Sequence, residues 1–265
     1  MSDLNKELGV YTKNLNKASK DSNINSAMTR AVKSYRENVA NAMERYPHTP
    51  KLAEEVRTIK EYSIENNKQL LNQAMEVIEK NNGKAFYAKD RDEALNIINE
   101  IIGTGKVIVK GKSMLGEELQ LRQGLEEVGH EVWETDLGEF ILQLKNDRPM
   151  HILSPAVHVP REQVAEIFSK FFKKEVPPDI AQEVAVVREF MREKYFKADV
   201  GISGANVVAA DTGQIVIIEN EGNVRLCTSA PPIHIALVGI EKLVPTFLDA
   251  MKVSEVTWRY ANYTA

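Results

Sequence analysis

The chain has 265 residues, of which 34 are basic and 38 acidic, so its formal net charge at pH 7 is −4. A charge this close to balance gives no basic surface of the kind that nucleic acids or anionic membranes attract, so neither is expected as a partner. No apolar run reaches the roughly 20 residues that a membrane-spanning helix needs, and residues 1–20 lack the apolar core of a signal peptide, so we expect a cytoplasmic location.

The cysteine content restricts the chemistry further. Cys227 is the single cysteine of the chain. One cysteine excludes an intramolecular disulfide and a cysteine-rich metal or iron–sulfur site built from this chain alone. We therefore expect that the chain itself holds no cofactor.

Residues 1–83 are predicted to form an N-terminal helical region. Apolar side chains recur at three- or four-residue intervals from residue 27 to residue 45 and again from 51 to 78, which is the spacing of a helix that buries one face. Prolines 47 and 50 break the pattern between the two segments. Asn81-Asn82-Gly83 is expected to end the second helix in a left-handed cap.

The pattern changes at residue 84, where short apolar runs begin to alternate with helical segments. This alternation predicts βαβ units, that is, a mostly parallel sheet covered by helices. The expected strands are 85–88, 107–109, 131–133 and 152–153, and the expected helices are 90–102, 113–128, 161–172 and 180–196.

The last third of the chain is predicted to add antiparallel structure. Thr212-Gly213 is typical of a hairpin turn between two strands. The apolar run 233–238 favours a buried central strand with His234 in the core. The fold class is therefore α/β, a mostly parallel sheet with flanking helices plus an antiparallel hairpin, in a domain that covers 84–265. The expected strands of this part are 200–202, 206–210, 214–218 and 233–238.

Four segments carry polar residues that suit binding or catalysis. The first, 110–118, follows a strand and opens a helix, where free backbone N–H groups favour an anion. Ser113 is expected to cap this helix, and Lys112 adds positive charge. The spacing matches neither a P-loop nor a dinucleotide-binding fingerprint. A capped turn with a solvated lysine is the structural alternative.

The second segment, 134–141, places carboxylates at the exit of a strand, where open α/β sheets bind ligands. Asp136 is expected to cap the next helix, with Glu139 at its third position. That capping role accounts for both acids without any function. General acid–base catalysis by the pair, with Glu139 as the candidate catalytic residue, is the functional alternative.

The third segment, 154–161, holds His158 between two prolines, so a rigid loop positions the imidazole. Such a histidine is suited to bind an anion or to transfer a proton near neutral pH. It has no second histidine at metal-ligand spacing, so no metal is expected there. A histidine that hydrogen-bonds to the backbone of a tight turn is the structural alternative.

The fourth segment consists of two polar, glycine-containing turns that bracket the predicted hairpin. Asn206, Asn223 and Arg225 are donors suited to a substrate carboxylate or hydroxyl. Glu221 is the candidate acid–base group of this segment. Gly and Asn are also common in hairpin turns for conformational reasons alone, which is the structural alternative.

Five segments in this order carry a family resemblance: GKSMLGEE (111–118), ETDLGEFILQL (134–144), PAVH (155–158), ADVGISGANVVAADTGQIVIIENEGNVRL (198–226) and PIHIALVGIEKLVP (232–245). Together they resemble the lactate-utilisation (LUD-domain) family, and within it the LUD portion of the larger iron–sulfur subunit. Weaker similarity extends back to about residue 27.

The resemblance implies a fold similar to the sugar-phosphate isomerase and coenzyme A-transferase group, with a cleft at the strand ends. It also implies a part in an iron–sulfur complex that oxidises L-lactate to pyruvate, with other lactate-utilisation subunits as partners. The larger subunits carry cysteine clusters after the LUD domain, whereas this chain stops at Ala265. We therefore expect iron–sulfur clusters on partner subunits or on a C-terminal segment that this chain lacks. The chain is then either a natural cluster-free version or an isolated domain.

The resulting hypothesis is that the cleft holds a small organic acid. Lys112 and the helix end bind its carboxylate, and His158 takes the hydroxyl proton. Two other functions stay open: a free-standing enzyme that acts on a sugar phosphate or an acyl-coenzyme A, and a non-catalytic subunit that binds an organic acid. A homo-oligomer is compatible with each of them.

Overall fold

The computed structural model describes residues 2–150 and 154–261. Helices precede a stretch in which strands and helices alternate, so the structure is of the expected α/β class. The strand predicted at 152–153 lies outside the described residues. None of the helices in the described ranges is long and apolar enough to cross a lipid bilayer.

Four helices come first: α1 (Ser2–Lys20), α2 (Ser22–Arg45), α3 (Thr49–Glu65) and α4 (Asn67–Lys80). Pro50 lies in the first turn of α3, where its missing N–H leaves no helical hydrogen bond unmade. The helix predicted over 51–78 is interrupted at Asn66 and becomes two. Asn82, with φ of 64°, provides the left-handed end expected after α4.

Helix α4 shares a hydrophobic core with the C-terminal third of the chain. Leu70 and Ala74 on one face of α4 are buried against Val208 and Leu243. The helical region and the α/β part therefore meet in a common core, and a domain boundary at residue 83 stays a prediction.

Four parallel strands form the main sheet, sheet A: β1 (Val107–Lys110), β2 (Glu131–Glu134), β3 (Val200–Ser203) and β6 (Ile233–Ala236). Their order is β2-β1-β3-β6, and each neighbouring pair is parallel, as the alternation predicted. Every residue of β3 is buried, because helices cover both faces of a parallel sheet.

A smaller sheet, sheet B, contains the predicted antiparallel hairpin. Its strands are β4 (Val207–Ala209), β5 (Ile215–Val216) and β7 (Leu243–Val244), in the order β5-β4-β7. Strands β4 and β5 are antiparallel, whereas β4 and β7 are parallel. Gly213 in the turn has φ of 67°, a left-handed conformation that glycine adopts without steric cost. The hairpin is confirmed, and it belongs to a separate sheet.

Eight further helices pack on these sheets: α5 (Arg91–Ile102), α6 (Met114–Glu118), α7 (Leu121–Glu127), α8 (Leu137–Lys145), α9 (Arg161–Phe172), α10 (Ile180–Lys197), α11 (Asn223–Ser229) and α12 (Phe247–Tyr260). One face of sheet A, with Ile108 and Ile202, packs on α5 and α7. The other face, with Val109, packs on α8, α9 and α10 around Phe140 and Phe168. Burial of each such side chain stabilises the fold by about 1.5–3 kcal/mol.

Two elements differ from their prediction in the first half of the chain. Residues 85–88 form no strand in the structure, and Phe86 and Tyr87 are exposed. The residue types there favour a strand, but no strand among the described residues lies beside this segment to pair with it, so no strand forms. The helix predicted over 113–128 is broken into α6 and α7 at Gln120, which has φ of 48°. At the break the Leu119 carbonyl accepts a hydrogen bond from Arg91 at 2.7 Å.

Three further predictions were wrong in the second half. Strand β6 is at the end of sheet A in the described part of the chain, and is not a central strand. His234 is exposed rather than in the core, and its Nε2 lies 2.8 Å from the Ser203 hydroxyl. The segment 219–225 is predicted to be a turn, but its last three residues belong to helix α11, which runs from Asn223 to Ser229. Glycine and asparagine are common in turns, which explains the prediction. Gly222, just before the helix, does have a left-handed conformation.

The opposite edge of sheet A is closed by a side chain. The Gln143 amide of α8 donates to the Val132 carbonyl at 2.7 Å and accepts from the Glu134 backbone N–H at 3.1 Å. These two bonds satisfy backbone groups that an edge strand would otherwise leave unpaired. They also fix α8 beside the end of β2, which positions the residues at the start of α8.

Candidate functional site

The strand order places a switch point at the carboxyl end of sheet A. From β1 the chain continues to β2 on one side, whereas β3 lies on the other side, so the connections diverge between β1 and β3. Open α/β sheets bind ligands at such a switch point. The loop after β3 touches the loop after β1, because a Cβ atom at Gly204 would be 2.9 Å from the Ser113 hydroxyl. Glycine at 204 permits this close approach.

Two charged residues are in contact at this switch point, and a third interacts with them electrostatically. The Lys112 ammonium lies 3.5 Å from a carboxylate oxygen of Asp136, which joins the loop after β1 to the loop after β2. Glu221 comes from the loop before α11. Although Glu221 is exposed overall, partial burial of its carboxyl raises its pKa, and Asp136 raises it further while Lys112 lowers it. The three side chains therefore form one electrostatic group, which we call the cleft group.

The capping residues behave as predicted. The Ser113 hydroxyl accepts a hydrogen bond from the Gly116 backbone N–H at 3.3 Å and begins α6. The other carboxylate oxygen of Asp136 accepts from the Glu139 N–H at 3.1 Å and begins α8. Since α6 has only five residues, its dipole is small, and Lys112 is the main positive group of this loop.

A buried ion pair lies below the cleft group. Lys110, the last residue of β1, is 1% exposed, and its ammonium lies 3.0 Å from Glu134 and 3.5 Å from Glu117. Lys110 and Glu134 are directly opposite in the register of β1 and β2. Burial lowers the pKa of Lys110, but the carboxylates around it outweigh that effect and raise the pKa above its ordinary value. Lys110 is therefore a charged group in the interior.

The surroundings of Glu139 shift the pKa of its carboxyl into the neutral range. Its side chain is 5% exposed, and burial raises its pKa to about 7, with Glu134 and Glu117 adding to the rise and Lys110 opposing it. A carboxyl with this pKa changes its charge near neutral pH, which is the property of an effective general acid or base. The prediction placed Glu139 at the third position of a helix at a strand exit, and it lies there.

A neutral hydrogen-bonded cluster adjoins the cleft group on the side of α11. The Asn223 amide donates to the Thr135 hydroxyl at 3.4 Å, and that hydroxyl lies 3.5 Å from the Cys227 sulfur. The Tyr195 hydroxyl donates to the Asn223 carbonyl at 3.2 Å. Asn223 is thus beside the loop after β2, whereas Cys227 is fully buried, and burial raises the pKa of its thiol to about 12.

Three predicted site residues make their described contacts away from the cleft group. His158 lies 3.4 Å from Asp147, beyond the C-terminal end of α8, whereas Asp136 precedes its N-terminal end, about 13 Å away at 1.5 Å per residue. The Asn206 side chain accepts from the Ile218 N–H at 2.7 Å and supports the hairpin. Arg225 is exposed and bonds to Glu219. Their proposed site roles stay predictions.

Lys110 and Glu134 were not among the predicted site residues. The signal that could have identified them is a charge that ends an apolar run in each of two neighbouring strands, VIVK and EVWE. Tyr195 and Thr135 gave no comparable signal, because only the fold brings α10 and the loop after β2 together.

The residues present do not fit an iron–sulfur cluster. Such clusters are held by several cysteine thiolates, and the one cysteine here is buried against Thr135. In residues 2–150 and 154–261, no three side chains of the His, Cys, Asp or Glu type are arranged to hold a metal ion. The chemistry of the cleft group is therefore that of a lysine and carboxylates.

Residues 71–264 match the family described as LUD domain. Lactate utilization protein B of Bacillus cytotoxicus (strain DSM 22905 / CIP 110041 / 391-98 / NVH 391-98) is 37% identical over 225 residues, which cover 84% of this chain and 47% of that protein. The proteins of the same name from Bacillus thuringiensis (strain Al Hakam) and Bacillus anthracis (strain A0248) have the same identity and coverage. The chain thus spans about half the length of these relatives. No solved structure gives a significant match.

Proposed function

Because the chain belongs to the LUD-domain family, we propose that it works in lactate utilisation by holding a small 2-hydroxy acid at the carboxyl end of sheet A. The observation that carries the proposal is the cleft group beside the switch point of the sheet, in which Lys112 contacts Asp136 and both act electrostatically on Glu221. The name of the relatives supplies the class of substrate.

The chemistry of lactate suits this group. A lysine ammonium has three donors, so Lys112 binds the substrate carboxylate while it keeps its contact with Asp136. Glu221 lies on the same side and accepts a hydrogen bond from the substrate hydroxyl in its ionised form. Ser113 and Asn223 border the same loops and orient the bound acid. His158, near Asp147, is not needed for this role.

We propose further that the chain takes part in the oxidation of L-lactate to pyruvate within a multisubunit complex in the cytoplasm. The reaction removes two electrons and two protons from lactate. This chain would bind the acid and handle a proton, since its single cysteine cannot hold a cluster. Iron–sulfur clusters on partner subunits, or on a C-terminal segment outside this chain, would accept the electrons.

The test is ligand-induced stabilisation of the purified chain. A ligand that binds only the folded state raises its stability with the logarithm of ligand concentration over Kd. We expect L-lactate or pyruvate to raise the melting temperature, and Lys112→Ala to weaken their affinity roughly 10-fold or more, because a charge-assisted hydrogen bond is lost.

Lys252→Ala is the matched control. Lys252 has similar exposure, 33% against 27% for Lys112, and a comparable ion pair with Glu55 at 3.1 Å, but it lies on α12. The control should leave the affinity unchanged. Stabilisation by a sugar phosphate or a coenzyme A ester alone would replace the proposal with a free-standing enzyme. Binding of lactate without turnover in the presence of cluster-bearing partners would show that the chain is a non-catalytic, acid-binding subunit.

A further inference from the structure

The Thr135 hydroxyl is the centre of a hydrogen-bond cluster between the loop after β2 and helix α11. Thr135 is buried, and its hydroxyl has hydrogen-bond contacts with the Lys110 carbonyl at 3.0 Å, the Asn223 side-chain amide at 3.4 Å and the Cys227 sulfur at 3.5 Å. A hydroxyl has one hydrogen to donate and two lone pairs that accept. The three partners therefore use its full capacity, and each of them has a definite role.

The Lys110 carbonyl takes the hydrogen of the Thr135 hydroxyl. A carbonyl oxygen can only accept, and the Thr135 backbone N–H occupies its second lone pair at 2.9 Å. The two remaining partners of the hydroxyl must then act as donors. Cys227 meets this condition, because burial raises the pKa of its thiol to about 12 and keeps the S–H proton in place.

The same condition fixes the orientation of the Asn223 side chain. An amide offers N–H donors at one end and an accepting oxygen at the other. If its oxygen faced Thr135, two lone pairs would meet without a hydrogen between them. Nδ2 therefore faces Thr135, as the structure has it, and Oδ1 is turned away. Among the described residues, none is seen to donate to Oδ1.

Asn223 is held between the two loops that carry the carboxylates of the cleft group. It is in the first turn of α11, two residues after Glu221, and its partner Thr135 directly precedes Asp136. The Tyr195 hydroxyl donates to the Asn223 carbonyl at 3.2 Å and fixes the backbone at this point. Asn223 is partly exposed, so its free oxygen is on the side of Thr135 that faces a ligand rather than the core.

We propose that Thr135 is a positioning residue that makes Asn223 a hydrogen-bond acceptor beside the cleft group, so that the site prefers a 2-hydroxy acid over the corresponding 2-oxo acid. The inference rests on the proposed function for the identity of the acid. A substrate hydroxyl donates to Oδ1, whereas the keto oxygen of a 2-oxo acid has no hydrogen to give. The ionised Glu221 carboxylate shares the same hydrogen in a three-centre bond.

This orientation also favours release of an oxidised product. Oxidation of the hydroxyl turns a donor into an acceptor, and the new keto oxygen then faces the accepting groups of Asn223 and Glu221 without a hydrogen bond. Lys112 binds the carboxylate that both acids share, so it does not discriminate between them. The sequence predicted Asn223 as a donor to the substrate, but an N–H of its amide is used by Thr135.

The first test needs no ligand. Solvent exchange of the side-chain amide protons is measured by ¹⁵N NMR, with Asn223 assigned through Asn223→Leu. We expect the bonded amide proton of Asn223 to exchange roughly 5-fold more slowly than those of Asn72, an exposed asparagine of α4. Thr135→Val should remove the difference, and Thr135→Ser, which keeps the hydroxyl, should preserve it. Equal rates in the wild type, or slow exchange that survives Thr135→Val, would overturn the orientation.

The second test compares the affinities of L-lactate and pyruvate by isothermal titration calorimetry. The wild type should prefer L-lactate, and Thr135→Val should lower that preference roughly 3- to 10-fold, the effect of one hydrogen bond, while Thr135→Ser keeps it. Thr257→Val is the matched control, because Thr257 also donates to a carbonyl, that of Val253 at 2.7 Å, but lies on α12. It should leave the preference unchanged. A preference that survives Thr135→Val would overturn the role of Thr135.

If Thr135→Val does not fold, Asn223→Leu takes its place. Leucine is similar in size and has no acceptor, so the preference for L-lactate must fall. A protein with the slow amide exchange that binds neither acid would keep the orientation of Asn223 and refute the proposed function, together with the preference that rests on it. A protein that binds both acids equally well would keep the proposed function and overturn the preference.

Discussion

The α-carbon of Gly201 in β3 lies directly against the carbonyl group of Cys227 in α11, so that a Cβ atom added at residue 201 would be 1.7 Å from that oxygen. No other glycine of the described chain approaches backbone this closely. The contact seats α11 on sheet A and brings Asn223, at its first turn, beside Thr135. A helix backbone cannot move aside as a side chain can.

Gly201→Ala is therefore expected to destabilise the protein by about 3 kcal/mol or more, the upper range for overpacking a buried site. Urea denaturation followed by circular dichroism measures the change. Gly9→Ala is the control, because nothing lies within 4 Å of a Cβ at Gly9 in α1 and alanine favours helix by up to about 1 kcal/mol. A wild-type denaturation midpoint for Gly201→Ala would contradict the packing of α11.

A second prediction concerns the aromatic core between α8, α9 and α10. Phe140 is fully buried, and its ring lies 5.8 Å from those of Phe171 and Phe190. Phe140→Ala should lower the free energy of unfolding by about 3–5 kcal/mol. Phe196→Ala, at a 76% exposed position of α10, should change it by less than about 0.5 kcal/mol. Equal effects of the two substitutions would show that this core is not packed as described.

A third prediction concerns the pH dependence of stability. The pKa of Glu139 rises from 4.5 in the unfolded chain to about 7 in the fold, so the folded state binds this proton more tightly. The resulting stabilisation is fully present below pH 4.5, declines as pH rises and is lost above about pH 7. It amounts to about 3 kcal/mol at 1.36 kcal/mol per pKa unit.

Unfolding free energies measured from pH 4 to pH 8 check this prediction. Glu139→Gln mimics the protonated carboxyl, so the variant should lack this part of the pH dependence and should exceed the wild type in stability at pH 8. The same substitution at exposed Glu118 is the control. If the wild type and Glu139→Gln show parallel pH profiles, Glu139 does not titrate in this range.

A fourth prediction concerns the thiol. Cys227 is fully buried, and burial raises the pKa of its thiol to about 12, so the reactive thiolate is scarce at pH 8. A disulfide reagent should modify less than about a tenth of the chains in the native state within minutes, and close to one equivalent per chain in denaturant. Rapid native modification would mean that α11 leaves sheet A on that time scale.

The α/β class could be predicted because its signals are local. Alternating apolar runs and helical periods located β1, β2, β3 and the hairpin within one or two residues. Residues 85–88 had the same apolar character but no neighbouring strand, and a strand forms only where a partner is available. Whether β6 is central or at an edge depends on how the chain crosses over, which no local pattern records.

The site could be predicted only in part, for the same reason. Lys112, Ser113 and Asp136 follow strands directly, so their place at the carboxyl end of sheet A follows from the strand assignment. His158 has suitable chemistry but lies at the other end of α8, because the loop that carries it folds back past Pro155 against Gly138. The pairing of Lys110 with Glu134 depends on strand register, which the sequence does not state.

The bonds from Gln143 to Val132 and Glu134 have a consequence for assembly. With the Val132 carbonyl and the Glu134 N–H occupied, a strand from another chain would have to displace the Gln143 amide before it could pair with β2. Gln143 thus lowers the tendency of this margin to extend a sheet into a neighbouring molecule.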